Sequence, residues 1–429
     1  MLQNYLKKNN SWVLSVVAGL AAFGTYSCMY AYRKSFAAGT YSGMHLWGLD
    51  YKVVLVIAQV FGYMLSKFVG IRVVSGINLK YRLIAIISFM AWAWLALLGF
   101  ALVPPPYNVV FLFINGLPLG MIWGLVFSFL EGRKSTELMA AIMASSLVFA
   151  SGFVKSVGRT LLQDFHMNEF WMPFFTGLLF ALPMCLFLYL LSQLPEPNEE
   201  DIKLRTKRVA MTNKERHEVV RNYWPGLVCI VSAYLLLTIV RDLRDNFEVE
   251  IWSSLGFAKQ PSIFTQIDFP VALFILAILA SLILVKNNMK AFILLHHILL
   301  IGLSIAGIAA ILFLNSLISP VVFMSLAALG LYLAYVPCNS IFFERMISAF
   351  KINGNVGFVM YIADATGYLG SVGILLYKQF TAAHISWLQF FIYGLLTIWI
   401  TGSLFVLLSL RYFTKKREKY NSLNIISTI

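Results

Sequence analysis

The sequence predicts an all-α integral membrane protein with twelve transmembrane helices. Of its 429 residues, 60% are hydrophobic and only 12% are charged, whereas soluble domains carry about 25% charged residues. The apolar residues are concentrated in blocks of about 20, the helix length that crosses a ~30 Å hydrocarbon core. They lack the alternating ~10-residue pattern of membrane β-strands. The predicted spans are 11–38, 50–70, 82–103, 107–130, 137–161, 170–192, 223–243, 263–285, 291–314, 319–343, 355–378 and 385–411.

One long polar stretch, Leu194 to Arg221, separates six predicted spans from the other six. Its prolines and mixed charges are typical of a solvated linker. We therefore predict four segments. They are an N-terminal six-helix bundle over residues 1–193, a cytoplasmic linker over 194–221, a C-terminal six-helix bundle over 222–412 and a cytoplasmic tail over 413–429.

The net charge of +14 is explained by membrane topology. Lys and Arg concentrate in alternate connections, which is the bias of cytoplasmic loops. This bias places both termini and the linker in the cytoplasm and predicts a multi-pass plasma (cytoplasmic or inner) membrane protein. The opposite connections are short or acidic, and the stretch DNFEVE, residues 245–250, is expected in one of them. A basic chain of this kind needs no nucleic-acid partner.

The sequence carries none of the usual enzyme or metal motifs. Its four cysteines all lie within predicted spans, without disulfide or metal-ligand spacing. No Ser/His, His/Glu or paired-carboxylate site and no nucleotide-binding glycine loop is recognisable. We predict no enzyme activity, no cofactor and no metal. The first apolar run is too long for a signal peptide and is retained as span one.

The two halves resemble each other. SGFVKSVG, residues 151–158, matches TGYLGSVG, residues 366–373, and Arg33 in span one corresponds to Arg241 in span seven. A parallel six-plus-six repeat joined by a cytoplasmic loop is the architecture of the major facilitator superfamily, with pseudo-twofold-related bundles and the substrate near the midplane. The glycine-rich stretch NGLPLGMIWG, residues 115–124, suits close helix packing.

Several charged residues lie at predicted membrane depth, where each costs on the order of 3 kcal/mol. Three explanations stay open. Long side chains can reach the interface, and cations can pair internally, for example Lys34 with Asp245 or Asp268. They can also bind an anion.

For Arg33 and Arg241, anion binding is the leading interpretation. The pseudo-twofold axis would bring the two guanidinium groups face to face, and their planar forks suit phosphate or carboxylate oxygens. Further candidate substrate ligands are Lys67, Lys155, Arg159, Tyr30, Tyr63, Tyr335 and Asn339. Candidates for coupling or salt bridges are Lys34, Asp245, Asp268 and Asp364, and Asp364 is the favoured proton acceptor among them.

Four motifs carry a resemblance to a known family. They are YAYRK at 30–34, FGYMLSKF at 61–68, NGLPLGMIW at 115–123 and TIVRDLRDNF at 238–247. Together they resemble the organophosphate:phosphate antiporters, the glycerol-3-phosphate and hexose-phosphate transporters of the superfamily. In that family two arginines bind phosphate and a span-two lysine assists. The resemblance implies these roles for Arg33, Arg241 and Lys67.

The chain departs from that family at several positions. Asn246 stands where the family has its span-seven aspartate, with Asp245 one residue earlier, and Asp268 stands in for a span-eight glutamate. The family's span-five histidine is absent, while Lys155 and Arg159 occur further along that span. These departures favour a larger or more anionic substrate, or a coupling mode other than phosphate exchange.

Three functions are therefore compared. The first is an alternating-access transporter that exchanges a small organic anion, a phosphorylated metabolite, for phosphate. The second is a proton-coupled symporter of a peptide-like or sugar-acid substrate, with Asp364 as the coupling group. The third is a transporter-like sensor. We expect a monomer whose partners are the anionic substrate and the lipid bilayer.

Overall fold

The computed structural model describes residues 11–77, 81–131, 133, 135–196, 213–352, 357–382 and 384–426, and these residues are mostly helical. The helices of the first half are α1 Ser11–Lys34, α2 Tyr51–Gly76, α3 Arg82–Leu102, α4 Val109–Leu119, α5 Ile122–Phe127, α6 Thr136–Gln163 and α7 Met172–Ser192. Those of the second half are α8 Asn213–Ser254, α9 Ile263–Ile283, α10 Asn288–Leu314, α11 Pro320–Pro337, α12 Phe343–Ala349, α13 Gly357–Phe380, α14 Trp387–Thr397 and α15 Ser403–Ile426.

Short irregular elements complete this order. A 3-10 helix, Ser35–Ala38, extends α1. Strands β1 His45–Leu46 and β2 Leu49–Asp50 form an antiparallel hairpin before α2. Two π-helices, Cys338–Phe342 and Ile398–Gly402, join α11 to α12 and α14 to α15.

Eleven helical runs among the described residues are long and apolar enough to cross a membrane. The predicted spans four, ten and twelve each correspond to more than one helical element, and α13 at span eleven is not among the eleven runs. The prediction of an all-α, multi-pass membrane protein is confirmed. The side of the membrane on which the termini lie stays a prediction.

The predicted end of span seven was wrong. Helix α8 continues past residue 243 to Ser254, with non-helical backbone angles only at Phe247. The stretch DNFEVE is therefore part of a helix, and its residues 245–249 are buried. Acidic side chains are tolerated there because protein cations lie against them. Helix α8 also begins inside the predicted linker, whose residues 197–212 lie outside the described part of the chain. Helix α15 continues through the predicted tail to Ile426.

The chain divides into two compact units. Unit 1 comprises Met1–Thr206, Leu243–Ala280 and Val372–Leu388, and unit 2 comprises Lys207–Asp242, Ser281–Ser371 and Gln389–Ile429. The division between the units falls inside α8, after Asp242. The predicted bundle boundaries at 193 and 222 therefore remain a prediction.

In unit 1, α1 packs against α6 and α7, and α4 packs against α2 and α3. Backbones of α2 and α4 approach closely because glycines face each other. A Cβ atom at Gly62 would overlap the Phe113 carbonyl oxygen, and one at Gly116 would overlap the Gln59 carbonyl oxygen. The hydrophobic effect does not drive helices together inside a membrane. Small residues at such crossings allow the close van der Waals packing that holds the helices together instead.

In unit 2, α10 packs against α11 and α15. Gly302 and Gly330 permit the same kind of approach, since a Cβ at Gly302 would lie 2.6 Å from the Gly330 carbonyl oxygen. The Nε2 atom of the buried His296 in α10 lies 3.1 Å from the Ser409 hydroxyl oxygen in α15. Both units therefore use glycine contacts between neighbouring spans.

We expect Gly62→Ala to destabilise the folded protein, because the added methyl group would force α2 away from α4. Overpacking of a close-packed interior costs about 1–3 kcal/mol. The matched control is Gly373→Ala, where a Cβ atom would have no neighbour within 4 Å. Thermal unfolding midpoints in detergent would show the difference. Equal midpoints for the two variants would contradict the inferred crossing.

Candidate functional site

Arg33 lies at the end of α1 in unit 1 and is 5% exposed. Its guanidinium carbon is 3.7 Å from the centre of the Tyr63 ring and 5.9 Å from that of Tyr30. The ammonium nitrogen of Lys67, one turn along α2 from Tyr63, is 5.5 Å from the same Tyr63 ring. Four predicted ligands thus lie together, arranged around one aromatic ring by cation–π contacts.

Arg241 lies on α8 in unit 2 and is also buried. Its guanidinium carbon is 4.3 Å from the centre of the Tyr335 ring. Its Nη2 atom donates to Asp242 Oδ1 at 2.5 Å, and the other oxygen of Asp242 accepts from the Ser371 hydroxyl at 2.8 Å. Both predicted anion ligands therefore rest on a tyrosine ring of their own unit, and Arg241 contacts the Asp242 carboxylate.

A second polar cluster of unit 2 is organised by Tyr234. The Tyr234 ring stacks on Tyr335 with centroids 5.3 Å apart. Its hydroxyl donates to Asp364 Oδ1 at 2.7 Å and accepts from Asn339 Nδ2 at 2.6 Å. Tyr234 was not predicted from the sequence. Its spacing of two helical turns from Arg241 on α8 was the available signal, because residues seven apart share a helix face.

Lys155 of α6 is fully buried in unit 1 and touches two carboxylates of α8. Its ammonium nitrogen is 2.5 Å from Glu248 Oε2 and 3.5 Å from Asp245 Oδ1. The Lys34 ammonium nitrogen of α1 is 3.5 Å from Asp245 Oδ2 and donates to Asn246 Oδ1 at 2.7 Å. Asp245 therefore joins two cations from different helices.

Arg244 connects α8 to α9. It lies 2.8 Å from Glu248 Oε1 and 2.6 Å from Asp268 Oδ1. Asp268 Oδ2 has no hydrogen-bond partner among the described residues, and a Cβ at Gly152 would lie 2.6 Å from it. We call this set the six-charge network. It comprises Lys34, Lys155, Arg244, Asp245, Glu248 and Asp268, three positive and three negative groups.

A further ion pair lies at the same end of unit 1. The Lys52 ammonium nitrogen of α2 is 2.6 Å from Glu250 Oε1 and donates to the Ala37 carbonyl at 2.9 Å. Both side chains line a cavity of about 420 Å³ together with Phe247, Trp387 and hairpin residues. Ion pairing thus continues beyond the six-charge network toward the hairpin.

Several of the predicted site residues form ion pairs or hydrogen bonds with other residues of the protein. The pairing of Lys34 with Asp245, one of the explanations left open by the sequence, is present as an ion pair. Asp268, the other acid considered for Lys34, pairs with Arg244. Arg159 donates to the Ala258 carbonyl at 3.1 Å and to the Ala38 carbonyl at 3.4 Å. Substrate roles for Lys155 and Arg159 remain predictions. Glu248 was missed because its segment was assigned to a loop.

The chain belongs to a family described as "Family of unknown function (DUF5690)", which matches residues 35–416. No curated protein matches its sequence. Two solved structures show its fold. One is a bacterial homologue of the human lysosomal transporter Spinster, solved inward-facing and unoccupied, with a TM-score of 0.60 and 14% identity. That match covers 95% of this chain and 99% of the other.

The second similar structure is the D-xylose–proton symporter, with a TM-score of 0.59 and 16% identity over 94% of this chain and 97% of the other. The predicted major facilitator fold is confirmed. At such identities the likeness extends to the fold alone. Membership of the organophosphate antiporter family stays a prediction.

We expect Lys155→Met to destabilise the protein, because it leaves the buried carboxylate of Glu248 with less compensation. Breaking a buried pair from one side costs about 3–5 kcal/mol. The double variant Lys155→Met/Glu248→Gln, which removes one charge of each sign, is expected to recover much of this loss. Thermal midpoints in detergent give the measurement, with Lys290→Met at an exposed lysine as the control. A Lys155→Met midpoint equal to that of the control would refute a role of the network in stability.

Proposed function

We propose that the chain is a secondary active transporter that moves a small organic anion by alternating access, and that the anion is a phosphorylated metabolite exchanged for phosphate. One observation carries the proposal. Each unit holds a buried arginine on a tyrosine ring, and the sequence repeat predicts that these arginines occupy corresponding spans of the two halves. The proposal gives Arg33 and Arg241 each a role in binding negative charge of the substrate.

The aromatic contact supports this role physically. A tyrosine ring attracts a guanidinium group through its quadrupole and, unlike a carboxylate, does not cancel the charge. The planar edge of a stacked guanidinium still presents N–H groups in the fork that matches phosphate or carboxylate oxygens. Arg33 on Tyr63 fits this arrangement.

The contacts of each cation guide its assignment. The six-charge network contains equal numbers of cations and carboxylates, and Lys34, Lys155 and Arg244 contact its carboxylates. Arg33 and Lys67 contact the Tyr63 ring, and Arg241 contacts the Tyr335 ring. The proposal assigns anion binding to Arg33, Lys67 and Arg241, and cohesion of α1, α6, α8 and α9 to the network.

The arginine pair is tested by exchange of radiolabelled phosphate in proteoliposomes. We expect Arg33→Lys and Arg241→Lys each to lower exchange by about 10-fold to 100-fold, because hydrogen bonds to charged groups contribute on the order of 1.5–3 kcal/mol. Arg82→Lys is the matched control, since Arg82 is partly exposed and bonds to the Ser128 carbonyl. Phosphate loading with external glycerol-3-phosphate, hexose phosphates or citrate identifies the exchanged anion. Full exchange in both arginine variants would sink the proposal.

A proton-coupled symporter is the second candidate, favoured by two buried carboxylates. Asp364 is buried beside the Tyr234 hydroxyl, and Asp268 has one oxygen without a hydrogen-bond partner in the described chain. A proton-coupled transporter would need one of these carboxylates to exchange a proton during its cycle. We expect this mode to make uptake collapse when an uncoupler is added and to be lost in Asp364→Asn or Asp268→Asn. Uptake that continues with the uncoupler would exclude it.

A further inference from the structure

Two buried amide side chains hold the end of α1 where Arg33 lies. Gln59 Nε2 of α2 donates to the Arg33 carbonyl oxygen at 2.5 Å and to Asn115 Oδ1 at 2.9 Å. Asn115 Nδ2 of α4 donates to the Tyr32 carbonyl at 3.0 Å and to the Ala93 carbonyl at 2.9 Å. All four N–H bonds of these two amides are used, and both side chains are buried.

The two carbonyls on α1 are at a helix end. Tyr32 and Arg33 belong to the last turn of α1, after which the chain continues as the 3-10 helix Ser35–Ala38. Carbonyl groups in the last turn of an α-helix lack the partners that a continuing α-helix would provide. Gln59 and Asn115 supply donors there and attach the turn to α2, α3 and α4.

Arg33 is held at two points by one face of α2. Gln59 and Tyr63 are four residues apart, so they project from the same face of that helix. Gln59 binds the backbone oxygen of Arg33, and Tyr63 receives its guanidinium group. The backbone position and the side-chain direction of one residue are thereby fixed by consecutive turns of one helix.

The glycine crossing makes this arrangement possible. Gly62 lies between Gln59 and Tyr63 on α2, and Gly116 follows Asn115 on α4. A Cβ at Gly116 would lie 2.7 Å from the Tyr63 backbone nitrogen. With the two backbones this close, the short Asn115 side chain reaches both α1 and the Gln59 amide.

We propose that Gln59 and Asn115 are positioning residues for Arg33, which set the affinity for the anionic substrate by fixing the last turn of α1. This inference rests on the proposed function for its consequence in binding, but its structural claim does not require transport. A ligand group must be held within about 0.5 Å of its productive position by neighbouring side chains. Loss of either amide would leave Arg33 present but displaced from Tyr63.

Asn108 provides a matched comparison. It is another fully buried asparagine, directly before α4, which accepts from the Tyr51 hydroxyl and donates to the Phe100 carbonyl at 3.4 Å. Neither of these hydrogen bonds involves a residue of α1. A purely structural role of buried amides predicts similar effects at Asn108 and Asn115, whereas a positioning role predicts effects on Arg33 from Asn115 alone.

The first test needs no ligand. 3-Fluorotyrosine incorporated at position 63 reports the ring environment by ¹⁹F NMR of the full-length protein in detergent, and Arg33→Lys defines the change that accompanies altered stacking. We expect Gln59→Met and Asn115→Leu to shift the resonance in the same direction as Arg33→Lys, and Asn108→Leu to leave it in place. An unmoved resonance in Gln59→Met and Asn115→Leu would overturn the inference.

The second test measures anion affinity by thermal stabilisation with phosphate and glycerol-3-phosphate. We expect Gln59→Met and Asn115→Leu to weaken affinity about 10-fold, since small misplacements of a positioned group carry costs of this order. In an Arg33→Lys background the same changes should have little further effect, because they act through Arg33. Equal losses in both backgrounds would overturn the inference. If the wild type binds no anion while the ¹⁹F shifts occur, the positioning role stands and the proposed function fails.

Discussion

Compensation of buried charge is the constraint on which the rest of this structure depends. Hydrocarbon offers no solvent for an ion, so a charge within a span must be paired, hydrogen-bonded or exposed to a water-filled cavity. Unit 1 meets this requirement by bringing three cations and three carboxylates together from α1, α6, α8 and α9. Helix α8 can therefore continue through an acidic stretch, and its positions 244, 245 and 248 face partners because they lie on one side of the helix.

The two arginine environments are similar but unequal. Arg33 rests on Tyr63 with Lys67 close to the same ring, whereas Arg241 rests on Tyr335 and also contacts Asp242. Under the proposed function, an anion that binds Arg241 would have to compete with the Asp242 carboxylate. In that proposal Asp242 would be the partner of Arg241 whenever no anion is bound.

Hydropathy predicted most of the fold because span length and apolar content are local properties. The end of α8 could not be predicted in this way, since Asp245 and Glu248 resemble loop residues until their partners are known. Those partners, Lys34 and Lys155, lie far away in the chain, and only the fold reveals the pairing. Tyr30 and Arg33 of span one could be predicted because they belong to the motif YAYRK. Gln59 could not be found in this way, because an isolated polar residue in a span has no distinctive spacing, whereas Tyr234 offered only its seven-residue spacing from Arg241.

Interruptions of regular helix coincide with the charged and polar groups. Arg33 is the second-last residue of α1, which is followed by the 3-10 helix. Phe247 breaks the helical angles between Asp245 and Glu248, and Asn339 lies in a π-helix. Irregular backbone at membrane depth is tolerated where protein surrounds it, and π-helical turns are frequent at functional sites. At the end of α1 the cause is visible. The Gln59 and Asn115 amides donate hydrogen bonds to the Arg33 and Tyr32 carbonyls, which lie in the last turn of the helix. The same side chains bond to the backbone of Arg33 and of Tyr32, so the interruption of the helix and the backbone position of the arginine depend on the same contacts.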